Sequence, residues 1–163
     1  MSDASVLSDH VTDEIERWKS RFPEGKERSA VIAALHVVQH ENKGYLTIES
    51  MDAVAAYLGL PNIQVYEVAS FYSMFQTKPV GRHNVAICTN VSCMLRGADD
   101  IVDHVEAKLG IRVGGSTGDE RIFLKREEEC LAACCGAPMM MVDHDYYENL
   151  TIEKVDEILD GLD

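Results

Sequence analysis

The sequence predicts an α+β chain in two parts, an N-terminal helical bundle over residues 1–80 and an α/β domain over residues 81–163. Up to residue 76, apolar side chains recur at helical spacing between Gly and Pro interruptions. After Gly81, short strand-like runs alternate with helices, and all five cysteines lie in this second part. With 163 residues and 46% apolar content, the chain is large enough for two small cores.

Four helices are predicted in the first part. The first covers residues 13–21, and the second carries an apolar stripe over residues 31–38 before a stop at residues 42–44. Thr47 is expected to cap the third helix and Asn62 the fourth. The fourth helix should bury a stripe of Val65, Val68, Ala69 and Tyr72, with Phe71 and Phe75 adding bulk. Its aromatic side chains, including Tyr66, are expected to serve the bundle core and a partner interface.

The second part predicts the order strand, helix, strand, strand, helix, over residues 83–88, 98–109, 121–126, 138–143 and 151–162. A strand-helix-strand start allows a parallel pair of strands, and the later strands can add to it as a hairpin. This order indicates an α/β sandwich of thioredoxin-like type.

Charge and hydropathy exclude several classes of function. The formal net charge of -13 would repel nucleic acid, and a helix-turn-helix interpretation of residues 47–75 fails because no Lys or Arg lies between Leu46 and Gln76. No segment has the roughly 20 apolar residues that cross a bilayer. The acidic start of the chain does not resemble a secretory signal, so we expect a cytoplasmic location.

Four of the five cysteines form two pairs, and Cys135 belongs to neither pair. Four residues separate Cys88 from Cys93, three separate Cys130 from Cys134, and each pair follows a predicted strand. Four thiolates from two loops suit a 2Fe-2S cluster or a tetrahedral zinc ion. Zinc knuckles typically place two residues between paired cysteines, so the wider gaps favour iron-sulfur. Cys135 could replace Cys134 as a ligand, although a free thiol beside the cluster is the simpler interpretation.

Two alternatives stay open at this point. The cysteines could be buried structural thiols, although that would not explain why four of them fall in paired loops. The second alternative is that the chain is a structural zinc-binding scaffold subunit. Colour distinguishes this alternative from a 2Fe-2S protein, because 2Fe-2S proteins are red-brown and zinc proteins are colourless. Other residues do not indicate a further binding site. His36 and His40 lack a third metal ligand, and the glycines do not form a dinucleotide-binding motif; these are Gly110, Gly114, Gly115 and Gly118.

Three segments closely resemble the NuoE family, the small iron-sulfur subunit of NADH:quinone oxidoreductase (respiratory complex I). They are residues 65–75 (VYEVASFYSMF), 88–97 (CTNVSCMLRG) and 129–134 (ECLAAC), and residues 78–81 and 137–138 fit as well. The resemblance runs in order from about residue 10 to residue 163. It implies that Cys88, Cys93, Cys130 and Cys134 bind one 2Fe-2S cluster on a thioredoxin-like domain that follows a helical bundle.

The resemblance also implies a function and partners. The chain would be an electron carrier within an oxidoreductase, without its own substrate site, exchanging single electrons with FMN in a flavin- and NADH-binding 4Fe-4S subunit (NuoF-like). It would be peripheral on the cytoplasmic face of the inner membrane, through its complex. The equivalent diaphorase subunit of an NAD-linked hydrogenase or formate dehydrogenase is an alternative. The negative charge of Glu127, Glu128 and Glu129, which precede Cys130, is expected to lower the cluster's potential.

Overall fold

The structure is a computed structural model that describes residues 6–125 and 130–163, and the chain divides into two units, Met1–Pro79 and Val80–Asp163. The described residues of the first unit form four α-helices: α1 (Asp9–Lys19), α2 (Val31–Glu41), α3 (Ile48–Leu58) and α4 (Asn62–Phe71). A short 3₁₀ turn, Glu27–Ala30, leads into α2. Buried side chains from all four helices form one apolar cluster, with Ile15, Leu35, Val54 and Val65 inaccessible to solvent.

Capping side chains explain where these helices begin. The Thr47 hydroxyl accepts the Ser50 backbone N–H at 3.1 Å, while the Ser50 hydroxyl accepts the Thr47 backbone N–H at 3.0 Å. The cap predicted at Thr47 is therefore confirmed. At the start of α1, the Ser8 hydroxyl accepts the Val11 N–H at 3.2 Å, so this helix begins four residues before the predicted position.

Three predictions for α4 are wrong. Tyr72, expected in the buried stripe, follows the last residue of the helix and is 39% exposed. Pro61 holds the N-cap position, and Asn62 is instead the first helical residue, where its amide donates to Asp52 Oδ1 at 2.7 Å. The helix ends at Phe71, whose side chain is 79% exposed, so Phe71 adds nothing to the buried stripe. Phe75 is buried as predicted, because the chain turns back after the helix and directs this ring inward.

The second unit contains a four-stranded sheet in the order β2-β1-β3-β4. Its strands are β1 (His83–Ile87), β2 (Ile122–Leu124), β3 (Met140–Val142) and β4 (Asp145–Tyr147). β1 and β2 are parallel, as predicted, and α6 (Ala98–Leu109) connects them. β3 is antiparallel to β1, with Ile87 opposite Met140, and β4 is antiparallel to β3. A short helix, α5 (Val91–Met94), follows β1, and α7 (Ile152–Asp160) follows β4.

An apolar cluster packs β2 against α6 and α7. Val105 of α6 and Val155 and Leu159 of α7 pack with Ile122 and Leu124 of β2, all fully buried. The free edge of β2 is covered by residues 114–117, since the Gly114 N–H donates to the Leu124 carbonyl at 2.7 Å and the Thr117 N–H to the Ile122 carbonyl at 2.8 Å. No helix in residues 6–125 or 130–163 is both long and apolar enough to cross a membrane.

The strand predictions missed β4 altogether. This strand has only three residues, two of them exposed, so it shows no apolar alternation. It follows a tight turn in which Asp143 has the left-handed φ of 55° that such turns require. The strand predicted over residues 121–126 is observed only over Ile122–Leu124, and residue 126 lies outside the described part of the chain.

Candidate metal centre

The first cysteine pair lies where β1 runs into α5. Cys88 follows directly after Ile87, and Cys93 lies within α5. Asn90 shapes this loop, because its side-chain oxygen accepts the Val91 N–H at 2.8 Å and its carbonyl accepts the Cys93 N–H at 2.8 Å. Both thiol-bearing residues are buried, Cys88 at 2% and Cys93 at 1% exposure. This half of the site is therefore shielded from water.

The second pair lies in a loop between β2 and β3. Cys134 begins a 3₁₀ turn, Cys134–Gly136, and its Sγ lies 3.8 Å from Cys130 Sγ. Ala132 has a left-handed φ of 60°, which turns its backbone N–H toward Cys130 Sγ at 3.4 Å. Cys130 and Cys134 are exposed, in contrast to the first pair. Cys135 is also an exposed free thiol.

Backbone contacts bring the two cysteine loops together. The Cys88 N–H donates to the Met139 carbonyl at 3.1 Å, which extends the β1–β3 pairing beyond the strands themselves. Leu131, between the cysteines of the second pair, packs with Cys88, Cys93, Ala98, Ala137 and Met139 in one apolar cluster. No local sequence pattern indicates this cluster, since its members come from three separate segments.

The buried thiols influence each other. Burial is the main reason that the pKa of Cys93 rises to about 11, and its hydrogen bond with Cys88 adds to the effect. For Cys88, burial is the largest single influence and raises the pKa. Backbone hydrogen bonds from Leu131 and Asn90, together with the thiols of Cys93 and Cys130, outweigh it, so the pKa lies below its usual value.

The second pair interacts with the first. The Ala132 N–H is the largest influence on Cys130 and lowers its pKa, but the Cys134 thiol, burial and Cys88 together raise it above its usual value. Charge on Cys134 also raises the pKa of Cys93. The structure therefore brings all four predicted ligands into one interacting set. Within residues 6–125 and 130–163, no three or more His, Cys, Asp or Glu side chains are arranged to hold a metal ion, and the ligand assignment stays a prediction.

The donor set nevertheless fits a 2Fe-2S cluster. Such a cluster takes four cysteine thiolates, and hydrogen bonds to their sulfurs help to set its potential. Here the backbone N–H of Ala132 donates to Cys130 Sγ at 3.4 Å. The backbone at Leu131 and Asn90 lowers the pKa of Cys88, and the backbone at Met139 lowers that of Cys93, so it favours the thiolate form that a cluster binds. A bound cation would also favour the deprotonated form of Cys93, whose pKa burial holds high.

Two further residues shape the second loop. Arg96, three residues after Cys93, donates from Nη1 to the Ala137 carbonyl at 2.8 Å. Gly136 has no room for a Cβ, since the Glu148 carboxyl lies where that atom would point and Glu148 Cβ would be 2.6 Å away. Neither residue was assigned a role from the sequence alone. The proximity of Arg96 to a cysteine pair was the one sequence feature that could have indicated a role at the site.

Other candidate residues lie elsewhere. Gly110 has a left-handed φ of 66° at the end of α6, and Gly114 lies in the turn that follows. His36 Nε2 is 3.2 Å from Met74 Sδ, and its ring packs 4.9 Å from that of Phe75. Glu127, Glu128 and Glu129 lie outside the described residues, so their expected effect on the potential stays a prediction.

Comparison with known proteins gives consistent matches. A family model described as "Thioredoxin-like [2Fe-2S] ferredoxin" matches residues 15–163. The chain is 42% identical over 142 residues to the E-type subunit of NADH-quinone oxidoreductase from Rickettsia conorii, covering 87% of this chain and 84% of that protein. It is 45% identical over 140 residues to the protein of the same name from Rickettsia bellii, covering 86% and 83%.

More distant relatives match over smaller parts of their length. NADH dehydrogenase [ubiquinone] flavoprotein 2, mitochondrial, of Dictyostelium discoideum is 40% identical over 148 residues, which cover 91% of this chain and 60% of that protein. Among solved structures, a chain of the air-oxidized NAD+-reducing [NiFe]-hydrogenase matches 80% of this chain with a TM-score of 0.68 and 24% identity. This chain spans only 22% of that hydrogenase chain, and the likeness shows a shared fold.

Proposed function

The chain belongs to the thioredoxin-like [2Fe-2S] ferredoxin family, and from this premise we propose that it is the electron-transfer subunit of an NADH-oxidising quinone reductase. The resemblance to the NuoE family predicted from its motifs is confirmed, because its relatives at 42% and 45% identity are E-type subunits of NADH-quinone oxidoreductase. The family carries a 2Fe-2S cluster, and so does this chain. The observation that supports the proposal most strongly is that the two cysteine loops meet, with Leu131 of the second loop packed against Cys88 and Cys93 of the first.

We assign the cluster to Cys88, Cys93, Cys130 and Cys134, with Cys135 unliganded. A 2Fe-2S cluster supplies one-electron chemistry when bound, which suits exchange with a flavin that handles two. Cys88 and Cys93 would hold it from the apolar side and exclude water there. Cys130 and Cys134 would hold it from the exposed side, where an electron-exchange partner can approach.

The proposed partner is a flavin- and NADH-binding 4Fe-4S subunit (NuoF-like), with FMN and NADH bound there. Three large apolar side chains of the α5 segment are exposed around Cys93: Val91 at 61%, Met94 at 45% and Leu95 at 76%. Exposed apolar groups clustered at a functional site typically mark a protein interface. We call Val91, Met94 and Leu95 the α5 patch and propose that it contacts the flavin subunit.

The remaining parts of the proposal concern organisation and location. The helical unit, over residues 1–80, would be a bundle domain, and residues 81–163 the thioredoxin-like domain that carries the cluster. The isolated chain would be an electron carrier without a substrate site. It would work at the cytoplasmic face of the inner membrane, held there by the rest of its complex.

A direct test is anaerobic purification of the full chain, followed by iron, zinc and labile sulfide analysis. The proposal expects a red-brown protein with two irons and two sulfides per chain and an EPR signal after dithionite reduction. A colourless protein that contains zinc and no labile sulfide would support a structural zinc scaffold instead. Identification of the proteins that copurify with the native complex then distinguishes a quinone reductase from a hydrogenase or a formate dehydrogenase.

A further inference from the structure

Arg96 links the two cysteine loops through its side chain. It lies three residues after Cys93, and its guanidinium Nη1 donates to the carbonyl oxygen of Ala137, three residues after Cys134, at 2.8 Å. Ala137 is only 1% exposed, so the contact reaches a buried part of the chain. A charged donor makes a stronger hydrogen bond than a neutral one, particularly where water is excluded.

The first loop also contacts the second through the Cys88 N–H, which donates to the Met139 carbonyl at 3.1 Å, and through the apolar cluster around Leu131. Within Cys134–Gly136 the local backbone bonds are short-range, with the Gly136 N–H donating to Ala133 at 3.0 Å and the Ala137 N–H to Cys134 at 3.3 Å. On the opposite side, the Asn149 N–H donates to the Gly136 carbonyl at 2.6 Å. Arg96 therefore supplies a connection that runs from the Cys93 segment to the Cys134 turn.

We propose that Arg96 is a positioning residue that fixes the separation between the two thiol pairs and so sets how firmly the cluster is held; this rests on the proposed function. The guanidinium is planar and always charged, so it holds one orientation on the Ala137 carbonyl with little loss of freedom. Loss of Arg96 would leave the exposed pair free to move away from the buried pair.

The experiment compares four full-length proteins: wild type, Arg96→Met, Arg96→Lys and the matched control Arg82→Met. Arg82 is exposed and precedes β1, at the opposite end of that strand from Cys88, and its loss changes the net charge equally. The readouts are the rate of iron release to a ferrous chelator and the EPR line shape of the reduced cluster. Circular dichroism shows whether each variant is folded.

We expect Arg96→Met to release iron about tenfold faster than Arg82→Met, the effect of losing one charge-assisted hydrogen bond, with a broader EPR signal. Arg96→Lys keeps the charge and one donor but loses the planar guanidinium, so its rate of iron release should lie between those of wild type and Arg96→Met. If Arg96→Met takes up no cluster, Arg96→Lys is compared with Arg82→Lys instead. We then expect Arg96→Lys to release iron several-fold faster than Arg82→Lys.

Equal release rates and line shapes in the Arg96 variants and their controls would overturn this inference and leave the proposed function intact. A wild-type protein without iron and labile sulfide would overturn both.

Discussion

The backbone N–H of Cys88 donates to the carbonyl of Met139 at 3.1 Å, one residue beyond the last ladder pair of β1 and β3. Cys88 directly follows β1 and begins the first cysteine loop, and Met139 follows the second cysteine loop. Because antiparallel pairing continues through this bond, the register of the central strands decides where the loops meet. The site is thus an extension of the sheet, and changes that shift β1 against β3 should disturb it.

Replacement of any one of Cys88, Cys93, Cys130 or Cys134 by Ser should remove most of the cluster. We expect a roughly tenfold or greater loss of retained iron, since even outer contacts of a metal site commonly cost that much. Total iron and labile sulfide after anaerobic purification measure the effect.

Cys135→Ser is the matched control for that series, because it removes an exposed thiol adjacent to Cys134. It should keep two irons and two sulfides per chain. Loss of iron in Cys135→Ser together with full retention in Cys134→Ser would show that Cys135 is the ligand.

Substitution of Leu95 by Asp should weaken binding to the proposed flavin subunit without affecting the cluster. Leu95 is 76% exposed and belongs to the α5 patch, so burying a new charge there should weaken association by roughly tenfold or more. Titration of the two purified subunits measures the change, and the absorption spectrum checks the cluster.

Val113→Asp is a suitable control for the docking prediction, since Val113 is 37% exposed and follows α6, at the end of that helix away from the cysteine loops. Its affinity should match that of wild type. Should both variants bind equally well, the α5 patch is not the contact surface.

The pKa of His83 should lie above its ordinary value when measured by NMR titration. The cause is its hydrogen bond to the Asp143 carboxylate at 2.9 Å, with a further contribution from Asp163, although burial acts in the opposite direction. Because the folded pKa is raised, this interaction stabilises the fold fully below the unfolded pKa of about 6.5 and its contribution is lost as pH rises through the folded pKa.

Asp143→Asn should therefore lower the pKa of His83 and reduce the free energy of unfolding more at about pH 5.5 than at about pH 8.5. His10→Gln, an exposed change in the other unit, serves as the control for altered histidine content. A His83 titration that is the same in wild type and Asp143→Asn would contradict the assignment.

Gly136→Ala should distort the turn that begins at Cys134. The added methyl group would collide with the Glu148 side chain, whose Cβ as well as its carboxyl is in the way, so rotation of the carboxyl alone cannot make room. Overpacking of this kind costs about 1–3 kcal/mol, and we expect faster iron loss and a lower unfolding temperature. Gly118→Ala, where nothing lies within 4 Å of the new methyl group, should behave as wild type in both assays.

The elements that the sequence predicted well are those set by local chemistry. The limits of α3 follow from Thr47 at one end and Gly59, with its left-handed φ of 66°, at the other. The apolar residues of α6, Ile101 and Val105, are buried as their spacing indicates. The position of the two cysteine pairs in short loops also follows from local sequence, whereas their role as cluster ligands stays a prediction.

The elements that the sequence did not predict depend on contacts between distant segments. Phe71 looks like a core residue, yet the helix ends there and leaves it exposed. The links from Leu131, Met139 and Arg96 to the cysteine loops depend on β1 and β3 being neighbours. Tertiary packing decides such features, so no local pattern in the sequence encodes them.

The pairing of residues 114–117 with the edge of β2 has a consequence for self-association. A bare strand edge offers unpaired N–H and carbonyl groups to any other chain, which is a common route to aggregation. Here the β2 edge is already paired, and on the opposite side β4 is only three residues long and begins with the exposed Asp145. A second molecule thus finds no long edge to pair with in the described part of this sheet, which limits edge-to-edge association between copies of the domain.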